Sequence, residues 1–194
     1  INIKEKHEPY CRFVSFYNEA IEREQKNIEA GCLSSCDQYN RVHGRFINIK
    51  YVNDDEFIFF SNYQSPKAKD FIQNQNVSLT FFWSSTNSQI RLEGKIRLLD
   101  GKRSDNHWKN RSNEKNALAV SSKQSSEANS YDEIKSSYEQ VLENADLTIR
   151  PSFWGGFVIN PTFFEFWKGH EFRLNRREVY ILENKKWHKK IIQP

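Results

Sequence analysis

The chain has 194 residues, enough to bury the core of one domain, and its 14% aromatic content excludes a disordered protein despite a mean hydropathy of -0.82. The net charge of +4 permits anionic ligands and does not require nucleic acid as a partner. No apolar run reaches membrane-spanning length and no signal peptide is visible, so we expect no membrane contact. Because Cys11, Cys32 and Cys36 form no metal-binding pattern, we expect no metal and interpret them as thiols of a cytoplasmic protein.

The first third of the chain predicts one helix followed by antiparallel strands. Apolar side chains recur at helical spacing through residues 8–30. Residues 32–52 predict two strands around a polar turn at 37–41, and a second turn at 53–56 leads into a strand at 57–61. Residues within the second strand alternate between two faces. One face carries Phe46, Asn48 and Lys50, and the other carries Arg45, Ile47 and Ile49.

A helix start follows at Ser65 and Pro66, which suit the N-cap and the first helical position of a helix running to about Gln73. The unbonded N–H groups and the dipole at such a helix start favour an anion, and Lys67 and Arg45 add positive charge. The pattern indicates either a phosphate seat or an ordinary capped helix, and both remain open.

The middle of the chain predicts strands at 77–83 and 89–99, helices at 101–111 and 131–143, and a Ser-rich loop at 112–129. The loop could cover a site or simply face water. Four side chains of the second strand are expected to share its buried face: Ile90, Leu92, Ile96 and Leu98.

The segment 152–177 combines glycines, aromatic rings and arginines. Gly155 and Gly156 permit a turn or a close approach, and the arginines at its end suit phosphate or carboxylate. The segment indicates either a ligand site or two strands followed by a solvated basic turn. A last hairpin joins 178–182 with 187–192.

Seven or eight short strands in hairpins, with three or four helices between them, predict a mainly β protein of the α+β class. The sequential hairpins favour an antiparallel sheet closed, or nearly closed, into a barrel. No linker divides the chain, so we expect a single domain over 1–194.

These segments, taken in order, resemble the pyridoxamine 5'-phosphate oxidase family of FMN-dependent split-barrel enzymes. The resemblance extends from about Phe13 to Pro194 and is most specific at PSFWGGF (151–157), EFWKG (165–169) and RLNRR (173–177). It implies an antiparallel FMN-binding split barrel with peripheral helices. It also implies a homodimer with the flavin site at its interface and a dimerisation segment near 151–194.

The resemblance also implies site residues. Matching positions for FMN are Arg45, Phe46, Ile47, Asn48, Ile49, Lys50, Phe60, Ser61, Lys67, Gln89, Gln124, Ser125, Trp167 and Arg177. Matching positions for substrate are Lys50, His107, Arg111, Lys115, Arg173 and Asn175, with Arg173 and Asn175 in the catalytic positions. The departures are Pro66 for a phosphate-binding Arg, His107 for Tyr, Lys115 for Ser, Asn175 for His, and Arg176 for an acidic residue.

The function implied is oxidation of pyridoxamine or pyridoxine 5'-phosphate to pyridoxal 5'-phosphate, with FMN as cofactor and O2 as acceptor. Three alternatives stay open. One is an FMN-dependent oxidase of the same family acting on another ring substrate, as in phenazine-type pathways. Another is a flavin- or pyridoxal-phosphate-binding protein without turnover, and the last is a barrel that binds single-stranded nucleic acid.

Overall fold

The computed structural model describes residues 7–53 and 55–194, which form nine antiparallel strands and five α-helices. The strands are β1 Ala30–Cys36, β2 Val42–Asn48, β3 Tyr51–Asn53, β4 Glu56–Asn62, β5 Asn76–Trp83, β6 Ser88–Leu98, β7 Trp154–Lys168, β8 Arg176–Glu183 and β9 Lys186–Ile191. The helices are α1 Glu8–Glu22, α2 Pro66–Gln73, α3 Gly101–Lys109, α4 Asn113–Ser121 and α5 Tyr131–Asn144. The predicted fold class is confirmed. The predicted turn at 53–56 includes Asp54, which lies outside the described residues.

The sheet curls because one short segment, residues 49–50, forms hydrogen bonds at both ends of the sheet. The main strand order is β2-β1-β5-β6-β7-β4-β3, with β8 and β9 branching from β7. This order ends at β2 and β3, yet these two strands are neighbours in sequence. Between them, the N–H of Ile49 donates to the carbonyl of Glu29 at 2.9 Å, and the N–H of Lys50 donates to the carbonyl of Ile58 at 2.8 Å. Consecutive residues thus connect opposite ends of the sheet, which gives the split-barrel shape.

The long strand β7 has two different neighbours along one of its edges. Residues 154–159 pair with β4 and residues 163–168 pair with β8, while β6 runs along the other edge. Trp154 and Trp167 are thirteen residues apart on this strand, which corresponds to roughly 40 Å at about 3.3 Å per residue. The two ends of β7 therefore belong to two separate surfaces of the chain.

The core is rich in aromatic rings, which accounts for the high Phe content. Helix α1 supplies Phe13, whose ring meets Phe57 edge-on at 5.0 Å between centroids and Phe81 at 5.8 Å. Phe164 stacks on Phe166 from β7, and both are buried. Burial of each such ring contributes roughly 1.5–3 kcal/mol. This packing makes a rigid base for the residues on the outer face of the sheet. None of the described helices is long and apolar enough to cross a membrane.

Several predicted boundaries were wrong. The first helix ends at Glu22 instead of residue 30, because Glu24 and Asn27 adopt left-handed backbone angles (φ 53° and 50°) that a right-handed helix excludes. Residues 112–129 contain helix α4 instead of forming only a loop, and the third helix ends at Lys109 instead of residue 111. The segment after Pro151 forms one strand, β7, where two were predicted.

Two further details correct the sequence reading. Leu98 was expected on the buried face but is 58% exposed, because it borders an open groove of about 460 Å³ lined in part by Phe71 and Phe157. Gly155 and Gly156 lie inside strand β7, where they pair with Ser61 and Phe60 of β4, so they make no turn. A Cβ at Gly155 would overlap the Tyr63 hydroxyl. These glycines therefore serve close packing of β7.

Candidate functional site

A cleft of about 780 Å³ opens where β2 and β4 meet helices α2, α3 and α4. It brings together most of the predicted cofactor and substrate residues. Its lining consists of Glu29, Arg45, Phe46, Ile47, Asn48, Lys50, Phe60, Ser61, Lys67, His107, Asn110, Arg111, Ser112, Lys115, Gln124, Ser125 and Trp154. Ile49, which follows the end of β2, does not line it, and its side chain is 6% exposed in the hydrophobic core.

One end of the cleft holds a buried lysine within a polar cluster. The ammonium of Lys67 donates to the hydroxyl of Ser65 and to Oε1 of Gln124, both at 3.2 Å. The hydroxyl of Ser61 donates to the same Gln124 oxygen at 3.0 Å. Burial, and secondly the charge of Arg45, lower the pKa of Lys67 to about 8. This cluster is a set of hydrogen-bond donors suited to an anion.

Ser65 occupies the predicted N-cap position of α2, but its side chain does not cap the helix. Its hydroxyl donates instead to the carbonyl of Asn62 at 2.7 Å, and Pro66 begins the helix as expected. The backbone N–H groups of Ala68 and Lys69 bond to the carbonyl of Ser65. The Ser65 hydroxyl is therefore a fixed partner for Lys67.

The part of the cleft around Arg111 is also cationic. Arg111 places its guanidinium 4.3 Å from the ring centre of Trp154, and Nη2 donates to the carbonyl of Lys115 at 3.0 Å. Nη1 of Arg111 is buried and finds no hydrogen-bond partner among the described residues. Burial lowers the pKa of this guanidinium to about 10, which leaves it charged at neutral pH. A buried donor of this kind indicates a missing acceptor.

His107 lies in a stack of rings that also lines the cleft. Its ring is 3.6 Å from that of Phe60 with an 11° tilt, and Phe60 in turn stacks on Trp154 at 5.5 Å. Nδ1 is 2.9 Å from the Tyr51 hydroxyl. Burial, followed by the charges of Arg111 and its neighbouring lysines, lowers the pKa of His107 to about 4. A neutral imidazole that accepts from Tyr51 carries its proton on Nε2, so it can donate to a ligand.

The remaining predicted residues lie at the far end of β7. Gln89 pairs with Trp167, and Trp167 pairs with Arg177, so these three residues sit side by side across β6, β7 and β8. Arg173 and Asn175 follow in the segment between β7 and β8. One chain therefore does not bring these five residues into the cleft, from which about 40 Å of strand separates them.

Buried Glu165 holds this second group in place. One carboxylate oxygen accepts from Nε of Arg177 at 2.7 Å, and the other accepts from Nη2 of Arg91 at 2.9 Å. Burial raises the pKa of Glu165, but the hydrogen bonds from Arg177 and Arg91 outweigh it and leave the pKa below its ordinary value. Nη1 of Arg177 also donates to the carbonyl of Gln193.

The loop beyond β7 presents its side chains outward. Asn175 accepts a bond from the backbone N–H of His170 at 3.1 Å, which ties the two ends of the loop together. Arg173 is exposed and has a left-handed backbone, as does Phe172 before it. The predicted catalytic pair therefore lies on a protruding surface and not in a pocket of its own chain.

Sequence reasoning missed several residues of these two regions. Trp154 lines the cleft, and its place in a Gly-Gly-aromatic motif was the available signal. Glu165 belongs to the motif EFWKG, where a lone acidic residue among aromatic ones signals a buried charge pair. Asp70, which contacts Arg45, carried no signal, because it resembles any polar residue of a surface helix.

Comparison with known proteins agrees with this geometry. Residues 17–145 match the family model "Pyridoxamine 5'-phosphate oxidase", and residues 154–194 match "Pyridoxine 5'-phosphate oxidase C-terminal dimerisation region". The pyridoxine/pyridoxamine 5'-phosphate oxidase of Leptospira biflexa is 33% identical over 190 residues, covering 96% of this chain and 89% of that protein. The Coxiella burnetii oxidase of the same name is 33% identical over 181 residues, with coverages of 93% and 92%.

Solved structures share the fold. PhzG of Burkholderia lata, in complex with tetrahydrophenazine-1-carboxylic acid, superposes with a TM-score of 0.92 at 24% identity, covering 98% of this chain and 95% of that one. A pyridoxamine 5'-phosphate oxidase-related, FMN binding protein of Nostoc punctiforme has a TM-score of 0.78 at 14% identity, with coverages of 93% and 96%. With both family models matched in order, the chain belongs to the pyridoxamine 5'-phosphate oxidase family and is an FMN-dependent oxidoreductase of that type.

Proposed function

We propose that this protein oxidises pyridoxamine or pyridoxine 5'-phosphate to pyridoxal 5'-phosphate, with FMN as cofactor and O2 as electron acceptor. The observation that carries the proposal is that two cationic groups and flat aromatic faces line one cleft. Two phosphorylated, ring-containing molecules require two anion sites and ring-sized surfaces. The cleft offers both within about 780 Å³.

The residues present fit FMN. Lys67, Arg45 and Ser61 offer donors to its phosphate, and strand β2 offers backbone to its ring system. Pro66 supplies no charge where the family resemblance leads us to expect Arg, so the phosphate depends more heavily on Lys67 and Arg45. FMN, when bound, supplies the redox chemistry by taking two electrons from the substrate and passing them to O2.

The second cationic group fits the substrate phosphate. Lys50, Arg111 and Lys115 provide positive charge, and His107 provides a neutral donor. The buried Nη1 of Arg111, which lacks a partner among the described residues, is the strongest sign of an anion there. Arg111 is also fixed by its contact with Trp154, so little side-chain entropy is lost on binding.

We infer that the active protein is a homodimer in which each cleft is completed by the partner chain. Residues 154–194 match a dimerisation region, and they carry Trp167, Arg173, Asn175 and Arg177. Gln89 lies beside Trp167 on the same surface. Because roughly 40 Å of strand β7 runs between Trp154 in the cleft and Trp167, a second copy is the simplest way to bring these residues to a flavin.

A different ring substrate is the second candidate. The catalytic position matched by Asn175 holds a side chain that cannot titrate, and its oxygen is already engaged by the His170 N–H. His107 replaces a phenol in the substrate group. The related fold of PhzG holds tetrahydrophenazine-1-carboxylic acid, an anionic ring without phosphate. If the protein binds a ligand but turns over neither class of substrate, the hypothesis of a binding protein without catalytic activity would remain.

The test is the visible spectrum of FMN-loaded protein under anaerobic conditions while pyridoxine 5'-phosphate is added. Loss of the oxidised flavin band, with its return on admitting air, is the expected result. The Arg111→Ala variant should keep FMN but need a much higher substrate concentration for the same bleaching. Lys109→Ala is the matched control, because Lys109 ends the helix just before Arg111 and lies outside the cleft. A persistent band in the unmodified protein would favour the second candidate.

A further inference from the structure

We propose that Asp70 is a positioning residue that holds Arg45 ready for the flavin phosphate; this inference rests on the proposed function. Asp70 lies on α2, three residues after Lys67, and is 6% exposed. Its Oδ2 accepts from the Ser35 hydroxyl at 2.6 Å and from Nη2 of Arg45 at 3.5 Å, and lies 3.1 Å from Nδ1 of His43. One carboxylate oxygen therefore gathers three side chains from two strands.

The strand register explains why these groups meet. Ser35 of β1 lies opposite His43 of β2, and Leu33 lies opposite Arg45. Residues two apart share a face, so Ser35, His43 and Arg45 point to the side on which α2 packs. Asp70 is the acidic group that α2 presents to that side.

The guanidinium of Arg45 is held in place by residues that do not line the cleft. Its Nη1 donates to the Ser35 hydroxyl at 2.7 Å and to the carbonyl of Leu33 at 3.2 Å. Ser35 in turn donates to Asp70, so the carboxylate orients both the hydroxyl and the guanidinium. Arg45 lines the cleft, whereas Ser35 and Asp70 stand outside its lining. Asp70 thus acts through Arg45 and not by touching the ligand.

Such support matters because a free arginine side chain has many rotamers, and ordering them weakens binding. Asp70 also places a negative charge near a phosphate seat, which by itself would oppose FMN. The positioning effect should prevail, because the Asp70 charge is shared among three donors and lies behind the arginine. With Pro66 in the adjacent position, Arg45 and Lys67 are the cations that the cleft offers at this end.

The experiment compares FMN with riboflavin, which has the same ring system but no phosphate. Dissociation constants are measured by quenching of flavin fluorescence for the unmodified protein, Asp70→Ala and Asp70→Asn. We expect Asp70→Ala to weaken FMN binding by about tenfold and riboflavin binding by less than about twofold. Asp37→Asn is the matched control, because Asp37 is in the β1–β2 turn with its carboxylate bonded to Arg41, and it should change neither constant.

A double-mutant cycle separates positioning from other effects. When Arg45 is already replaced by Ala, adding Asp70→Ala should no longer alter the ratio of the dissociation constants for FMN and riboflavin. Equal weakening of FMN and riboflavin would overturn the inference, since it would mean general damage to the fold. If Asp70→Asn binds FMN more tightly than the unmodified protein does, the inference is also overturned, since repulsion between the Asp70 carboxylate and the phosphate would then dominate. If the unmodified protein binds neither flavin, the proposed function fails and this inference fails with it.

Discussion

The two ends of strand β7 differ in how complete they are. At the Trp154 end, aromatic rings and cationic side chains of one chain converge on a cleft with internal hydrogen bonds. At the Trp167 end, Phe172 is 88% exposed and Leu174 is 64% exposed, beside the outward-facing Arg173. The first surface is arranged to bind a ligand. The second exposes apolar side chains, which suits contact with another protein surface.

Backbone geometry sharpens this difference. Phe172 and Arg173 both have φ near 60°, a conformation that L-residues with side chains adopt at some energetic cost. Strain of this kind persists where the surroundings fix it, and it clusters at ligand and interface sites. The contrast therefore supports two half-sites on one chain, each completed by the other half-site of a second copy.

Complementation between two inactive variants gives the largest expected effect. Arg111→Ala damages the cleft and Arg173→Ala damages the protruding loop, and each alone should reduce turnover by about a hundredfold. Co-folded in equal amounts, half of the dimers would contain one of each chain. Each such dimer has one undamaged site, so about a quarter of the normal activity should return.

The control is a mixture of two variants that damage the same half, Arg111→Ala and Lys67→Ala. Neither chain can supply an intact cleft, so activity should stay at the level of the single variants. No recovery in the first mixture would show that each chain builds its site alone. Recovery in this control mixture would mean that the cleft itself is divided between the two chains. Turnover is measured by oxygen uptake at saturating FMN.

Removal of the Glu165 charge tests what stabilises the Trp167 end. In Glu165→Gln, the guanidinium groups of Arg91 and Arg177 lose the buried carboxylate between them. We expect the free energy of unfolding in urea to fall by about 2–4 kcal/mol. Glu93→Gln is the control, because Glu93 also pairs with Arg91 but its side chain is 47% exposed, and it should cost less than about 1 kcal/mol.

The pH dependence of this difference has a definite sign. The pKa of Glu165 lies below its ordinary value of 4.5 in the folded protein, so the carboxylate stabilises the fold above that pH. The advantage of the unmodified chain over Glu165→Gln should shrink as the pH falls through the depressed pKa. A difference that stays constant with falling pH, until the unmodified protein itself unfolds in acid, would mean that packing, and not charge, is responsible.

The local sequence pattern and the family resemblance predicted much of this architecture and many of the residues that line the cleft. Alternation predicted the faces of β2, and Ser65 with Pro66 predicted the start of α2. The failures share a cause: Glu24 and Asn27 end α1 through backbone angles, and Leu98 is exposed because it borders an open groove. These outcomes depend on tertiary context, which spacing along a chain does not encode.

The same limit applies to the site. Resemblance named Trp167 and Lys67 together as cofactor residues, but only the length and pairing of β7 show that they lie on separate surfaces. Asp70 and Glu165 contact Arg45 and Arg177, two of the predicted cofactor residues, and only Glu165 lies in a motif that signals such a contact. Residues that touch a ligand leave a signal in a family pattern, whereas the residues that orient them are visible only in three dimensions.

The pH dependence of FMN binding gives the smallest predicted effect and isolates the Trp154 end. Lys67 has a pKa of about 8, against an ordinary value of 10.5, because it is buried beside Arg45. A phosphate binds the charged ammonium, so affinity should fall as the pH rises above 8 and the ammonium deprotonates. Between pH 7 and pH 9, the dissociation constant for FMN should rise about tenfold.

Two controls test whether Lys67 causes this rise of the FMN dissociation constant with pH. Riboflavin lacks the phosphate, so its dissociation constant should stay nearly constant over the same range. Lys67→Arg keeps a cation that does not titrate below pH 12, so its FMN affinity should be flat. A slope that survives in Lys67→Arg would assign the titration to another group in the cleft. A flat profile in the unmodified protein would mean that the phosphate is held mainly by Arg45, which would in turn raise the expected penalty of losing Asp70.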